Sequence, residues 1–422
     1  MLRIRIGAAL LLAAGWSGGA QAGAFLIRDQ SASGFGMALA GVAAGDDLSY
    51  SFWNPAALAH ARGLEFEAVA TGIWPSVSVS PDAATNALVG AIGGTPTGEV
   101  EIGRDALVPA GFIAYQLTDR LTVGLSLASP FGLATTAPDN WAGQVYSRNS
   151  EIHSVNAAPM LSYRINDMLS IGAGLQIQYF KVELSQAAAV TPGAPDIALD
   201  ADDWGMGVTL GVQFQPWAGT TFGLGYRSSI RHDLEGSLAL PGVSYPAQAV
   251  LDTPDVLSFG VRQDISESFR LFGTIEWDNW SRLGAVPATA PDGSTLTTLQ
   301  LNYRDGWLYA LGAEYDVSAV LTLRAGIGYE VAPLTDANRD TRFPEVDQLI
   351  LSAGLTYKYS ETVSFDLSYL HSQGLGDGTV NIAPGDPRFL GLPFQASSDL
   401  AIDIVSVALN VKFDVGPAVR TR

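Results

Sequence analysis

Few residues in this chain could perform catalytic chemistry. It has four histidines, His60, His153, His232 and His371, and His371 is followed directly by a serine, Ser372. A serine nucleophile needs a histidine base within hydrogen-bond reach. Adjacent residues of a strand point to opposite faces, so these neighbours cannot form that couple in the strand predicted around them. The sequence therefore predicts that the protein is not an enzyme.

Metal and cofactor sites have equally little support. Asp200, Asp202 and Asp203 loosely resemble a calcium loop, but they lack its spaced ligands and its glycine, and a solvated acidic loop is the simpler interpretation. The chain has no cysteine, which excludes thiolate metal sites. No glycine-rich phosphate loop follows a strand and opens a helix, so nucleotide binding is not indicated. We expect neither a metal site nor a cofactor.

Composition indicates contact with lipid. Charged residues make up only 15% of the chain and the mean hydropathy is positive, at +0.19. The formal net charge of −19 argues against a nucleic-acid partner, which would require a basic surface. After the first residues there is no run of about 18 apolar residues that could form a transmembrane helix. Residence in a membrane would then require a closed β-barrel, which also pairs every backbone polar group.

The pattern along the chain is that of such a barrel. Between residues 63 and 413, alternating strands, short polar turns and long loops repeat, as in the stretch 401–413, where apolar and smaller or polar residues alternate. Six short turns predict fourteen strands, and a large soluble β-sandwich is the alternative. The predicted turns are 118–120, 165–167, 217–219, 264–268, 316–319 and 360–362.

Two of the predicted long loops, 187–199 and 238–251, are unusually apolar. Such residues could simply pack on one another. Two apolar loops that lie close together would instead form a hydrophobic landing surface for ligands. We expect this surface on the side of the barrel opposite to the short turns.

The N-terminal residues have a different pattern. Residues 1–22 combine a basic start, a short apolar core and the small residues Ala20 and Ala22, which predicts a secretory signal peptide and a mature chain that begins at Gly23. Residues 23–62 do not alternate and are rich in glycine, alanine and serine. Their aromatic residues predict a plug, or hatch, inside the barrel rather than a disordered periplasmic arm. The barrel would cover 63–413, and 414–422 would form a C-terminal tail.

Four short motifs occur in order along the predicted mature chain: Gly23-Ala24-Phe25, Asn54-Pro55-Ala56, Ser129-Pro130-Phe131-Gly132 and Gly225-Tyr226-Arg227-Ser228. Together they resemble the FadL-type family of outer-membrane transporters for long-chain fatty acids and aromatic hydrocarbons. The resemblance covers nearly the whole predicted mature chain. It implies a fourteen-stranded antiparallel transmembrane barrel with an N-terminal hatch in the outer membrane of a Gram-negative bacterium.

The resemblance also implies a lateral opening at Pro130 and Gly132. Proline cannot donate to the ladder, and glycine in a strand often marks a bulge, so the pair predicts a gap, although an ordinary strand end has the same pattern. In the resembled transporters a kink in this strand opens an exit into the membrane. Asn54, in the hatch motif with Pro55 and Ala56, could hydrogen-bond the kinked wall. Its alternative is a plain Asn-Pro turn.

Ligand chemistry is less determined. Fatty-acid members of the family place basic residues at positions that correspond to Gln186 and Leu299, neither of which is basic here. Arg304 is the nearest substitute, because its phase in the following strand points it inward, but it could equally pair with a lumen acid. With Phe25 these are the candidate substrate-binding residues. The absence of basic residues at two of these positions favours a neutral hydrocarbon ligand.

The sequence thus predicts a monomeric outer-membrane barrel that passively transports hydrophobic small molecules into outer-membrane lipid. Long-chain fatty acids are the first candidate, on the strength of the family. Neutral alkanes or monoaromatic hydrocarbons are the alternative for the same route. A structural or adhesive surface barrel without transport is the alternative of another class.

Overall fold

The computed structural model describes residues 23–413 and 415–416. The predicted signal peptide, 1–22, lies outside the described residues, as do residues 414 and 417–422 of the predicted tail. None of the helices in the described ranges is long and apolar enough to cross a membrane.

The wall is a closed antiparallel barrel of fourteen strands, as the sequence predicted. Three of its strands are interrupted, so that each is made of two consecutive segments: 121–128 with 132–136, 220–227 with 231–240, and 243–252 with 256–264. The wall segments are β1 Leu64–Pro81, β3 Ala106–Gln116, β4 Leu121–Ala128, β5 Gly132–Thr136, β6 Asn149–Arg164, β7 Leu169–Ala187, β8 Asp196–Trp217, β9 Thr220–Arg227, β10 Arg231–Leu240, β11 Val243–Asp252, β12 Val256–Asp264, β13 Phe269–Asp278, β16 Gly306–Asp316, β17 Leu321–Val331, β18 Gln348–Lys358, β19 Val363–Gly374 and β21 Phe394–Phe413.

Shorter elements lie in the connections between wall strands. They are β2 Val100–Glu101, β14 Ala285–Thr289, β15 Thr295–Gln300, β20 Gly378–Ile382, the helix α2 Ala83–Ala91 and the 3₁₀ turn Trp280–Arg282. Asp82 caps the helix α2, since its carboxylate accepts a hydrogen bond from the backbone N–H of Thr85.

The barrel closes where the first strand meets the last. Strand β1 pairs with β21 along its whole length, from Leu64 opposite Phe413 to Pro81 opposite Ala396. Side chains alternate between the two faces: Ser406 is fully buried in the lumen, while its neighbour Val407 is 46% exposed on the outside. This is the expected consequence of a two-residue repeat in a wall with lipid on one side.

The six short turns that the sequence predicted all occur between consecutive wall strands. Exposed aromatic residues lie next to them, among them Trp217 and Tyr359, as expected for a belt at the membrane interface. Of the two apolar segments that were expected to be loops, 238–251 is a hairpin of β10 and β11, so the prediction was wrong there. The segment 187–199 does contain a loop, 188–195, although β8 already begins at Asp196. Strand β8 has 22 residues, more than the about 9–11 that cross a bilayer, and its first part pairs with β10.

Residues 23–62 fill the lumen as a hatch. They contain α1 Ala32–Phe35 and two 3₁₀ helices, Leu48–Phe52 and Pro55–His60. The residues before the three helices, Ser31, Asp47 and Asn54, cap them, because each side chain accepts a hydrogen bond from a backbone N–H of the first turn. Nearly all the hatch side chains are buried.

The inner wall is lined with glycine where the hatch lies against it. A Cβ atom at Gly223, Gly225 or Gly326 would overlap the hatch backbone at Ala43, Trp53 or Met37. These glycines therefore allow the hatch backbone to lie directly against the wall.

Candidate functional site

A cavity of about 310 Å³ lies among the ends of strands on the side opposite to the short turns. Two of the residues that the resemblance singled out, Gln186 and Leu299, both line it, although they are far apart in sequence. Gln186 comes from the end of β7 and Leu299 from the β14–β15 hairpin. The aliphatic walls of the cavity are formed by Leu184, Ile197, Leu199, Leu238, Leu240, Leu296, Ile382 and Leu390.

Two arginines at this cavity were missed by the sequence analysis. Arg342 donates hydrogen bonds to the side chain of Gln186 at 2.8 Å, to the Ser150 hydroxyl and to the Ser185 carbonyl, both at 3.2 Å. Arg388 is held by an ion pair with Asp386. Both lie in loops between strands, where no alternation reveals on which side a residue lies.

Arg342 differs from Arg388 in its partners. In the part of the chain that the structure describes, its guanidinium contacts only uncharged oxygen atoms and forms no ion pair. The nearest acid, Asp340, accepts from its backbone N–H instead. Burial lowers the pKa of Arg342, and arginine nevertheless stays protonated in proteins. The Asp340 carboxylate also lines the cavity and attracts Arg342 electrostatically, but no ion pair neutralises the guanidinium among the described residues, so an anion could bind it here.

The structure places Arg304 elsewhere, which corrects the inward orientation that its phase predicted. Its side chain is 48% exposed and pairs with Asp347 at 3.3 Å, while its Nε donates to the carbonyl of Ala332 at 2.9 Å. Tyr329, an outward-facing residue, also donates to Asp347. Arg304 precedes β16 and is not part of its ladder, so strand periodicity did not apply to it.

Phe25 lies in a buried aromatic cluster. Its ring centroid is 4.6 Å from that of Trp280, 6.0 Å from that of Phe131 and 6.2 Å from that of Phe180, all with steeply inclined rings. Such edge-to-face pairs stabilise an aromatic core by about 0.5–1.5 kcal/mol each beyond area burial. The cluster joins the hatch to β7 and to the segment between β4 and β5.

The wall strand that contains Pro130 and Gly132 is interrupted there. Strand β4 ends at Ala128 and β5 begins at Gly132, and β3 pairs with β4 only over its half nearer the short turn, from Gly111 onward. The rest of β3 pairs with β1 but, in the described ranges, not with β5. We call residues 129–131 the kink.

Hatch residues replace the missing ladder partner at the kink. Leu26 and Phe131 form an isolated antiparallel bridge, with the backbone N–H of Ile27 donating to the Pro130 carbonyl at 2.8 Å and the N–H of Gly132 to the Phe25 carbonyl at 2.9 Å. The side chain of Gln30, which the sequence analysis did not single out, donates to the Ser129 carbonyl. Movement of these hatch residues would remove the hydrogen bonds that hold the kink.

Asn54 does contact the wall, but not at the kink as predicted. Its amide donates to the Val212 carbonyl of β8 at 3.0 Å and to the Ala43 carbonyl within the hatch at 2.7 Å. Its oxygen accepts from the backbone N–H of Ala56, which caps the helix that begins at Pro55. Asn54 thus joins the start of this helix to strand β8 of the wall. It also forms the Asn-Pro turn that the sequence offered as an alternative.

Replacement of Asn54 by alanine should loosen the hatch, since it removes the side-chain hydrogen bond to the Val212 carbonyl of the wall and leaves the Ala43 carbonyl only its longer bond from Gln213. The net contribution of one hydrogen bond to stability is about 0.5–1.5 kcal/mol. We expect channel openings in planar bilayers to become about tenfold more frequent, the factor that 1.4 kcal/mol produces. The variant Asn54→Ser keeps a capping oxygen but is too short to reach Val212. If it behaves as the unmodified protein does, Asn54 acts only as a cap.

An ion network fixes the hatch near the aromatic cluster. Arg28 pairs with Glu276 at 2.5 Å, with Glu330 at 2.6 Å, and with Asp278. All four side chains are buried, so removal of either sign of charge would leave the other uncompensated in a poorly solvated lumen. The network connects the hatch to β13 and β17.

The groups considered for catalysis do not assemble into a reactive site. His371 pairs with Asp403 at 2.8 Å on the outer face, whereas the Ser372 hydroxyl donates to Gln348 in the lumen. Asp200, Asp202 and Asp203 lie in β8, a strand of 22 residues, so their interpretation as a loop was wrong. The described residues contain no cluster of three or more acids or histidines that could hold a metal ion.

Comparison with known proteins decides the family. Residues 13–413 match the sequence model of the outer membrane protein transport protein family (OMPP1/FadL/TodX). The chain belongs to this family. It is an outer-membrane protein and a transport channel, not an enzyme.

Individual relatives agree with this assignment. The chain is 26% identical to a long-chain fatty acid transport protein of Escherichia coli, over 88% of this chain and 90% of that protein. It is 25% identical to outer membrane protein P1 of Haemophilus influenzae, over 96% and 98%.

Solved structures share the fold. A FadL homologue of Pseudomonas aeruginosa superposes with a TM-score of 0.81 at 23% identity and covers 92% of this chain and 99% of its own. The toluene transporter TodX of Pseudomonas putida superposes with a TM-score of 0.66 at 16% identity, with the same coverage. The family therefore includes channels named for a ligand with a carboxylate, the fatty acid, and for one without, toluene. Which class of ligand this chain binds has to be inferred from its own candidate site.

Proposed function

We propose that this member of the FadL/TodX family takes up long-chain fatty acids from outside the cell and releases them into outer-membrane lipid. The observation that carries the proposal is Arg342, a cation without an ion-pair partner among the described residues, at the edge of an aliphatic cavity. A fatty acid offers the complementary pair of groups, a carboxylate and an apolar chain. The volume of the cavity lies at the lower end of the range of about 300–1,000 Å³ that small-molecule sites occupy.

Hydrogen bonds between arginine and a carboxylate are strong because both groups are charged. The guanidinium of Arg342 donates a hydrogen bond to the side-chain oxygen of Gln186. We expect the ligand carboxylate to replace that neutral oxygen, while the acyl chain lies along the leucines of the cavity wall. Gln186 and Leu299 then contact the ligand without supplying charge, which explains why neither needs to be basic.

The proposed route continues through the hatch to the kink. The hatch residues Phe25, Leu26 and Ile27 separate the lumen from the interrupted wall between β3 and β5, so their displacement would open a passage toward the bilayer. An apolar chain gains about 0.8 kcal/mol per CH₂ in lipid relative to water, so lateral exit is favoured over release into the periplasm. No energy source is required, and transport is passive. Because the barrel closes on itself without a free edge, we propose that it functions as a monomer.

Replacement of Arg342 by glutamine should weaken oleate binding by about ten- to a hundredfold, the effect of losing a charge-assisted hydrogen bond of roughly 1.5–3 kcal/mol. Binding of an uncharged hydrocarbon of similar length should change little. Arg304→Gln is the matched control, since it removes an exposed arginine outside the cavity and should leave both affinities unchanged. Both can be measured by displacement of a fluorescent fatty acid from the protein in detergent.

Other results would identify another function. Equal losses for oleate and hydrocarbon in Arg342→Gln would make Arg342 a structural residue of the loop. Toluene or alkane binding as tight as oleate binding would support neutral hydrocarbons; the aromatic cluster around Phe25 favours that ligand class, because a small aromatic ring could join its edge-to-face contacts. Absence of any bound lipid or hydrocarbon in native mass spectra would favour a structural barrel.

A further inference from the structure

The tip of the hatch is held by a buried carboxylate. Glu345, in the loop between β17 and β18, has no solvent exposure. Its two carboxylate oxygens accept from the backbone N–H groups of Gly23 and Ala24, at 2.5 and 2.9 Å. A second carboxylate, Glu330, and the guanidinium of Arg28 both lie close by: an oxygen of the first and a nitrogen of the second would each be 2.9 Å from a Cβ atom built on Gly23. Because this one arginine also pairs with Glu276 and Asp278, carboxylates outnumber cations around the nitrogen of Gly23.

The cations of this region are engaged with other groups. Arg28 is shared by Glu276, Asp278 and Glu330. Arg339 donates its Nε to the backbone carbonyl of Glu345 and pairs with Asp336. In the portion of the chain that the structure describes, the carboxylate of Glu345 forms no ion pair.

An ionised carboxylate that is buried without a cation is unfavourable. Burial, with a further contribution from Glu330, raises the pKa of the Glu345 carboxyl, and the hydrogen bonds from Ala24 and Gly23 and the charge of Arg28 oppose this rise only in part. The phenol of Tyr303, also buried near Glu345, adds no positive charge. A positive group at the nitrogen of Gly23 would compensate Glu345 and would fit the hydrogen bond that is already in place.

The sequence predicts where such a group arises. Residues 1–22 have the pattern of a signal peptide with the small residues Ala20 and Ala22 before the cleavage point. A signal peptidase would hydrolyse the peptide bond between Ala22 and Gly23: water supplies the hydroxyl of the new Ala22 carboxyl group and a hydrogen to the Gly23 nitrogen. The free amine then binds a further proton near neutral pH, since α-amino groups have a pKa of about 7.7–8.0.

We propose that cleavage before Gly23 creates an α-ammonium group that forms a buried ion pair with Glu345, and that this pair fastens the hatch in its closed position. In the uncleaved precursor the same nitrogen is a neutral amide and offers Glu345 only a neutral hydrogen bond. The next hatch residues, Phe25 to Ile27, carry the hydrogen bonds to the kink, so the ion pair holds the segment that covers the wall gap. Closure of the channel is thereby coupled to completion of export.

The α-amine offers a direct test. N-terminal sequencing should first show Gly23 as the first residue of the mature protein, and any other start overturns the proposal. The folded protein in detergent is then treated with an amine-acylating reagent at neutral pH, and the N-terminal peptide is followed by mass spectrometry. Acylation should be at least about tenfold slower than in Glu345→Gln, the factor that corresponds to one unit in the α-amino pKa. Lys181, Lys358 and Lys412 are the other amines and serve as internal references.

A glycine insertion tests the position of the ammonium charge without changing Glu345, and a second variant serves as a control. Insertion of one glycine between Ala22 and Gly23 leaves Glu345 and both N–H donors in place but moves the ammonium by one residue. It should increase acylation and channel opening as Glu345→Gln does, and it provides the test if Glu345→Gln fails to fold. The control Glu361→Gln changes an exposed acid in a short turn and should alter neither quantity. Acylation and opening that stay unchanged in the insertion variant would show that Glu345 binds the backbone without an ion pair.

Discussion

A disulfide between Leu26→Cys and Phe131→Cys is expected to abolish uptake of hydrophobic ligands and to leave the barrel folded. The two residues lie opposite each other in an antiparallel bridge but are not hydrogen-bonded to each other. The flanking residues make the backbone hydrogen bonds, from Ile27 to Pro130 and from Gly132 to Phe25. In such pairs the Cα atoms are about 4.5 Å apart, which is within the range of disulfides. The bond would prevent the hatch from leaving the kink. Because the chain contains no other cysteine, mispairing is not possible within one molecule.

The measurement compares fatty-acid uptake by cells that carry the double variant before and after treatment with a reducing agent. Uptake should be low when the disulfide is formed and should recover on reduction. Each single cysteine variant, which cannot form the bond, is the control and should transport in both conditions. Uptake that is the same in the oxidised and reduced double variant would show that ligands do not leave through the kink.

Deletion of the hatch, residues 23–62, should convert the closed barrel into a conducting pore. The hatch fills the lumen with buried side chains, whereas the wall is held by its own ladder, including the seam between β1 and β21. We expect a large, continuously open conductance in planar bilayers and an unchanged shift in electrophoretic mobility on heating. Equal conductance of the deleted and intact proteins would show that the hatch is not what closes the pore.

Displacement of the hatch can also be tested by a pair of glycine-to-alanine substitutions in the wall. In Gly225→Ala, the added methyl group would overlap the carbonyl of Trp53 in the hatch, whereas in Gly273→Ala the nearest atom of another residue is 3.7 Å from the new carbon. The first variant should displace the hatch and raise the conductance, and the second should remain closed. The comparison tests hatch displacement in a full-length chain.

The fold was predictable because alternation is a local property of the sequence. Each wall strand must present lipid-facing residues at every second position, so strands and short turns could be located without knowledge of their partners. The hatch was also found by pattern, as a segment of aromatic and small residues without alternation. Its contacts could not be found in the same way, since the pairing of Asn54 with Val212 depends on the position of the hatch in three dimensions.

The candidate ligand site was only partly predictable. The resemblance singled out Gln186 and Leu299 as candidates, and both line the same cavity. Periodicity failed for Arg304, which precedes its strand, and gave no information about Arg342, which lies in a long loop. Whether a loop residue lies at a cavity depends on how the loop folds, and a loop has no periodic pattern from which the sequence would reveal this.

The contacts of the hatch have a consequence for the order in which the protein is made. The hatch is the first part of the mature chain to be synthesised, yet it contacts Gly211 in β8, Glu345 in a late loop and Gly354 in β18. The surface that receives it does not exist until most of the wall is assembled. Long-range contacts of this kind form slowly. Residues such as Phe52 and Trp53 must therefore cross the periplasm without their final partners, and we expect this segment to depend on a periplasmic chaperone more strongly than any wall strand does.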